Sequence, residues 1–234
     1  MLAIRLLLIT LLSTLPAWSL AGEGTQENVL HVVPVTEEPL HVVRHRSEGF
    51  LIYTNWIEPG IWTQYHEHRN DLLALIVGDT VASSESLAGE RREQTAPAGT
   101  LVLFPYSDDS APYVHRVGAT GEKPFINVGL EFLRPPADAC RAKLAPWDEP
   151  HARELASNRR GQGYLLTLPS GAVVKLPQDG HGLLLAPLAE GKLQLDLESW
   201  RAIVGGFRFY EETRPRQVKN LGPSELGLVV FLAC

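Results

Sequence analysis

Gly60-Ile61-Trp62-Thr63-Gln64-Tyr65-His66-Glu67-His68, followed by the apolar run Leu72-Leu73-Ala74-Leu75-Ile76-Val77-Gly78, decides how this chain is read. On a strand, residues i and i+2 face the same side, roughly 6.5–7 Å apart. His66 and His68 can therefore both turn inward toward one metal ion while Tyr65 and Glu67 turn away. The same parity puts Trp62 and Gln64 on the inner face, with Gln64 a candidate to hydrogen-bond a substrate and Trp62 a wall or packing residue. Further along, His115 opens His115-Arg116-Val117-Gly118. A solitary strand histidine is a weak signal by itself and reads as structural.

Seventeen prolines and twenty glycines divide short apolar runs, the pattern of a β-sandwich or barrel. Strands are expected at Gly49–Trp56, Trp62–His68, Leu72–Val77, Thr100–Phe104, Val114–Val117 and Phe125–Leu133. A second set is expected at Tyr164–Leu168, Ala172–Leu176, Leu183–Leu188, Lys192–Leu197, Ala202–Tyr210 and Glu225–Leu232. Between the sets, Arg134-Pro135-Pro136 through Arg160 reads as a linker with a helix over Glu149–Asn158. The second set repeats the first. Gly171 aligns with Gly60, and Leu183-Leu184-Leu185 with Leu72-Leu73-Ala74, without a gap; Arg216, Val218 and Gly222 align in the same way with His115, Val117 and Gly121. A repeat on this scale points to two tandem units of one fold.

Two motifs carry a resemblance to the cupin superfamily. One is Gly60 and, after five residues, His66-Glu67-His68. The other is the turn Pro97-Ala98-Gly99-Thr100, then Leu101–Pro105, His115-Arg116-Val117 and Gly121-Glu122-Lys123-Pro124-Phe125. The resemblance implies an all-β fold, a double-stranded β-helix (jelly-roll) barrel. With the internal repeat, two such barrels are expected in tandem: an N-terminal cupin barrel over 22–134, a short helical linker over 135–160, and a degenerate C-terminal cupin half over 161–234. It also implies that His115 joins His66 and His68 as third ligand to one divalent transition metal (Fe, Zn, Ni, Mn or Cu). Three neutral imidazoles suit such an ion and leave coordination positions open for a small ligand.

The family's usual Glu, after three or four intervening residues, is missing; Leu72 and Leu73 hold those places, and Asp71 comes one residue early. Asp71 then reads as a ligand, as an acid that orients a histidine, or as a turn residue. Where the first half has His66, His68 and His115, the second has Pro177, Asp179 and Arg216. Proline offers no ligand atom and arginine repels a cation, so metal chemistry is expected in the first barrel alone. Tyr106 and Tyr113 flank the loop before His115, with Asp108 and Asp109 between them; either phenol is a candidate acid or base, or packs. Asn127 reads as a cavity residue or as an edge hydrogen-bonder. His31, His41, His45, His151 and His181 read as surface or packing residues, and Arg91-Arg92 and Arg159-Arg160 as solvated pairs.

Arg5, the apolar run Leu6–Leu12 and Ser19-Leu20-Ala21 read as a signal peptide over 1–21, cleaved near Ala21, and so as export to the periplasm or beyond. The run is too short and too close to Pro16 for a spanning helix. About 210 residues remain, enough for one large or two small all-β domains. A formal charge of −6 argues against nucleic acid or an anionic membrane as partner; a homodimer is compatible with the chain. In an oxidising compartment Cys140 and Cys234 invite a disulfide, whose long loop would contribute roughly 4–5 kcal/mol, with two free thiols as the alternative. Three functions fit: an exported metal-binding cupin acting on a small molecule by dioxygenase, lyase or isomerase chemistry; a non-catalytic cupin that binds a small ligand or sugar; or a structural envelope domain.

Overall fold

Strand β10 (Phe125–Phe132) shows how the sequence sets the architecture, because all its residues are buried. Alternation puts Phe125, Asn127, Gly129 and Glu131 on one face and Ile126, Val128, Leu130 and Phe132 on the other. The second face joins Ile52 of β3 (Phe50–Ile57) and Leu73 and Leu75 of β5 (Asp71–Ile76). Together these pack on Leu184 and Ala186 of β14 (Gly182–Pro187) and Val229, Phe231 and Ala233 of β19 (Leu226–Ala233). Strands covered on both faces read as unbroken apolar runs, which is why β5 and β19 show so little alternation.

The computed structural model describes residues 31–106, 111–135, 146–178, 180–212, 214 and 216–234. Four sheets stack across these residues. The outermost of the first half orders β1 (Val32–Pro34), β4 (Tyr65–His68), β9 (Tyr113–Ala119), β6 (Thr80–Ser86) and β7 (Arg91–Ala96). Next comes β2 (His41–Arg46), β3, β10, β5 and β8 (Leu101–Phe104). The second half places β11 (Ala152–Asn158), β12 (Gly161–Leu168), β19, β14 and β17 (Arg208–Tyr210) against that sheet. It closes with β13 (Val173–Lys175), β18 (Gln217–Asn220), β15 (Gly191–Leu195) and β16 (Glu198–Ala202). Each half is thus a two-sheet jelly roll with its own core, and the middle two sheets share a third core.

The internal repeat survives in the topology. The sheet β2-β3-β10-β5-β8 matches β11-β12-β19-β14-β17 strand for strand, and β4-β9-β6-β7 matches β13-β18-β15-β16. The aligned glycines Gly60 and Gly171 share a left-handed backbone, φ 80° and 76°, where a side chain would be strained.

Two expected elements are corrected. The stretch Glu149–Asn158 is not helical: β11 occupies Ala152–Asn158 and pairs antiparallel with β12 through the turn at Arg159-Arg160. Its helix-forming residues are overridden by an unpaired sheet edge that this segment completes. The strand expected over Ala202–Tyr210 is also corrected: β16 ends at Ala202 and β17 covers only Arg208–Tyr210, with a turn between them. Strands β1, β2, β6, β7, β16 and β18 were not foreseen; β2 and β7 are largely exposed and polar. The signal segment, Asp108, Asp109, Cys140 and Asp179 lie outside the described residues; Cys234 is disulfide-bonded.

Candidate metal centre

Strand β4 runs parallel to β1 and antiparallel to β9, and this register sets His66 directly opposite His115. His66 and His68 are fully buried on the inner face of β4, and His115 meets them from the neighbouring strand. Their ligating nitrogens all lie within 4.8 Å of one another.

Each ring is held from behind. His66 Nδ1 lies 3.0 Å from the Gln64 carbonyl oxygen, which can only accept, so the proton sits on Nδ1. His68 Nδ1 donates to Glu131 Oε1 at 2.8 Å, and His115 Nδ1 lies 2.9 Å from Ser84 Oγ. Glu131 is itself fully buried and also accepts from Asn70 Nδ2 at 2.9 Å. All three Nε2 atoms are thereby turned toward one point. His66 Nε2 is buried with no hydrogen-bond partner, and His68 Nε2 lies 3.2 Å from His115 Nε2. Two nitrogens bound to one ion at about 2.1 Å and 90–109° stand roughly 3.0–3.4 Å apart, the spacing of the His68–His115 pair. With the His66 nitrogen within 4.8 Å of both, the three imidazoles are of a kind and proximity that suit a transition metal.

Electrostatics favour the ligating form. Burial, reinforced by His41, His115 and His68, pushes His66 down to about 2. Burial together with His68 and His41 pushes His115 down to about 3. Both rings are therefore neutral, with a lone pair available, at any ordinary pH.

The other expected residues divide. Asp71 is not part of the cluster. It shares the face of Leu73 and Leu75, which looks toward the second half, and it accepts from Arg160 Nε and from Arg159 at 3.2 Å. Arg160, expected to be solvated, is buried in this ion pair and also donates to the Arg134 carbonyl at 2.7 Å. Orienting a histidine is the task of Glu131 instead. Gln64 is exposed and serves the site through its backbone; regular strand begins only at Tyr65, so the parity that placed Gln64 and Trp62 inside does not extend to them. Trp62 covers Gly118 from outside, beneath the guanidinium groups of Arg91 and Arg116 at 4.7 and 5.1 Å. Tyr106 and Tyr113 do reach the site. They stack on each other at 4.6 Å, Tyr106 lying 5.8 Å from the His68 ring and Tyr113 4.8 Å from that of His115.

Beside the histidines opens a cavity of about 170 Å³, walled by apolar side chains such as Leu72, Ile76, Val102 and Phe125, with Asn55 and Asn127 among its polar groups. His41 also lines it, its ring 4.4 Å from that of His66. That residue was read as surface or packing because nothing in its local sequence marks it. Glu131 did carry a signal, as an acid alternating with Asn127 and Gly129 along an otherwise apolar strand. In the second half Arg216, the counterpart of His115, pairs with Asp196 at 3.1 Å and lies over Tyr210 at 3.6 Å.

No family model and no curated protein sequence matches the chain. Solved structures do. AerE from Microcystis aeruginosa superposes with a TM-score of 0.61 at 13% identity, covering 86% of this chain and 96% of that one. A glycine-to-alanine mutant of salicylate 1,2-dioxygenase from Pseudoaminobacter salicylatoxidans, in complex with gentisate, gives 0.56 at 9% identity, with 86% and 76% covered. A cupin 2 conserved barrel domain protein from Leptotrichia buccalis gives 0.52 at 9%, with 82% and 88% covered. At these identities it is the fold that is shared. With its two jelly rolls back to back and a histidine cluster inside the first, this chain has the fold of the cupin superfamily.

Proposed function

We propose that the first barrel holds one divalent transition metal on His66, His68 and His115 and acts on a small molecule in the adjoining cavity. The observation that carries this is the convergence of three Nε2 atoms whose Nδ1 partners fix them in the ligating orientation. When bound, the metal supplies Lewis acidity and open positions for chemistry of dioxygenase, lyase or isomerase type. The protein's residues do the rest. Glu131 and Ser84 hold two of the imidazoles, the apolar wall excludes water, and Tyr106 and Tyr113, with rings 5.8 and 4.8 Å from those of His68 and His115, are the candidate phenols for proton transfer. A dioxygenase among the structural neighbours makes oxygen-dependent turnover the first activity to assay. Export of the mature chain, read from its first residues, belongs to the same proposal.

The test is turnover of a small-molecule panel by metal-loaded protein, followed by mass change and oxygen uptake, with His115→Ala as control. Turnover lost in His115→Ala supports a metal-dependent enzyme. A wild-type protein that binds metal and ligand yet turns over nothing, just as the variant does, supports instead the non-catalytic ligand-binding reading.

A further inference from the structure

Behind the cavity lies a second polar device that the metal site does not use. Glu38, His41 and Asn55 are only 2%, 5% and 3% exposed. The backbone N–H groups of Leu40 and Gln64 donate to the Glu38 carboxylate at 2.7 and 3.2 Å, and His41 Nδ1 lies 2.7 Å from it. A carboxylate so placed accepts a hydrogen bond from His41 Nδ1–H and so keeps the ring proton on Nδ1, leaving Nε2 to accept from Asn55 Nδ2 at 3.1 Å. The Asn55 amide is thereby oriented, and its Oδ1 is buried without a hydrogen-bond partner. A buried acceptor left open is costly unless a ligand completes it. Asn127 stands directly opposite on β10, and both residues line the cavity.

Charge narrows the class of ligand. Among the described residues no Asp, Glu, Lys or Arg lines the cavity. Glu38 and Glu131, buried behind His41 and His68, offset the two positive charges of a divalent ion, so the loaded site carries no net charge. An anionic ligand would bring an unmatched charge into a desolvated space. The volume holds a molecule of roughly ten heavy atoms or fewer at ordinary packing density.

We propose that this barrel selects a compact, uncharged molecule that donates an O–H or N–H hydrogen bond to Asn55 Oδ1. The charge argument rests on the metal reading; the hydrogen-bond argument does not. Benzamide, benzoate and acetophenone are matched in size and separate the possibilities: neutral donor, anion, and neutral without a donor. Isothermal titration of the full chain, metal-loaded and again after chelation, should show benzamide binding about tenfold or more tighter than either of the others. Asn55→Leu should erase its advantage over acetophenone while leaving metal content unchanged. Benzoate binding as tightly as benzamide, acetophenone matching benzamide, or no binding of any of the three would overturn the inference. The wild-type comparison stands even if the variant fails to fold. A chain that takes up no metal but keeps the benzamide preference refutes the metal reading alone. A chain with one metal that prefers benzoate refutes this inference alone.

Discussion

Three Nδ1 atoms held from behind are what turn three Nε2 atoms toward a common point, and the holding residues are as testable as the histidines. Glu131→Gln keeps the shape but weakens the acceptor for His68 Nδ1, and metal affinity should fall roughly 10–100-fold in competition titrations. Asp71→Asn should behave in the opposite way. Metal content should stay unchanged while Arg160 loses its buried carboxylate, at a cost of about 3–5 kcal/mol in denaturant unfolding. Loss of metal in Asp71→Asn would restore it as a ligand. The histidine protonation states set a pH dependence. His66 and His115 have folded values of about 2 and 3, far below the ordinary 6.5, so the unfolded chain takes up protons first as the solution is acidified. Their contribution is therefore intact above pH 6.5 and lost progressively below it, by up to about 1.4 kcal/mol per pH unit for each ring. The melting temperature of chelator-treated protein should fall between pH 7 and pH 5; a flat or rising profile would show that these rings are not held neutral.

Strand β10 does the most to join site and scaffold, since Asn127, Gly129 and Glu131 face the first barrel while Ile126, Val128 and Leu130 pack on the second. Gly129 is fixed by a close approach: a Cβ there would stand 2.3 Å from the Tyr53 ring, which in turn lies 4.9 Å from the His41 ring. Gly129→Ala should destabilise by about 1–3 kcal/mol in chemical denaturation, because a rigid ring must move toward the site. An unchanged midpoint would mean that the ring has room to spare. What was legible in the sequence at this level was whatever strand alternation and apolar runs report: β3, β5, β10, β14 and β19, and the inward pair on β4. What was not legible depended on partners distant in the chain. Glu38 and His41 enter the site because β1 and β2 return past β4 and β3, and Asp71 leaves it because the inward position on β5 is Leu72. The segment Ala152–Asn158 has a helical composition and became a strand only because β12 offered an edge.

The two barrels stand back to back on one apolar core, so neither should unfold alone. Phe231 lies fully buried in that core, its ring 6.3 Å from that of Phe132 across the junction. Phe231→Ala should cost about 3–5 kcal/mol and lower one cooperative calorimetric transition. Two separated transitions would show that the halves are independent. The repeat was visible in the sequence because its two stretches align without gaps, and the topology matches strand for strand. The second half keeps that scaffold with Arg216, tied to Asp196 and Tyr210, in place of the third histidine. The account therefore turns on the first barrel, and metal content of untagged protein, measured by mass spectrometry for wild type and His66→Ala, tests it most directly. The predicted result is one divalent transition metal per chain in the wild type and almost none in His66→Ala. A wild type free of metal, or a variant that retains it, would contradict the account.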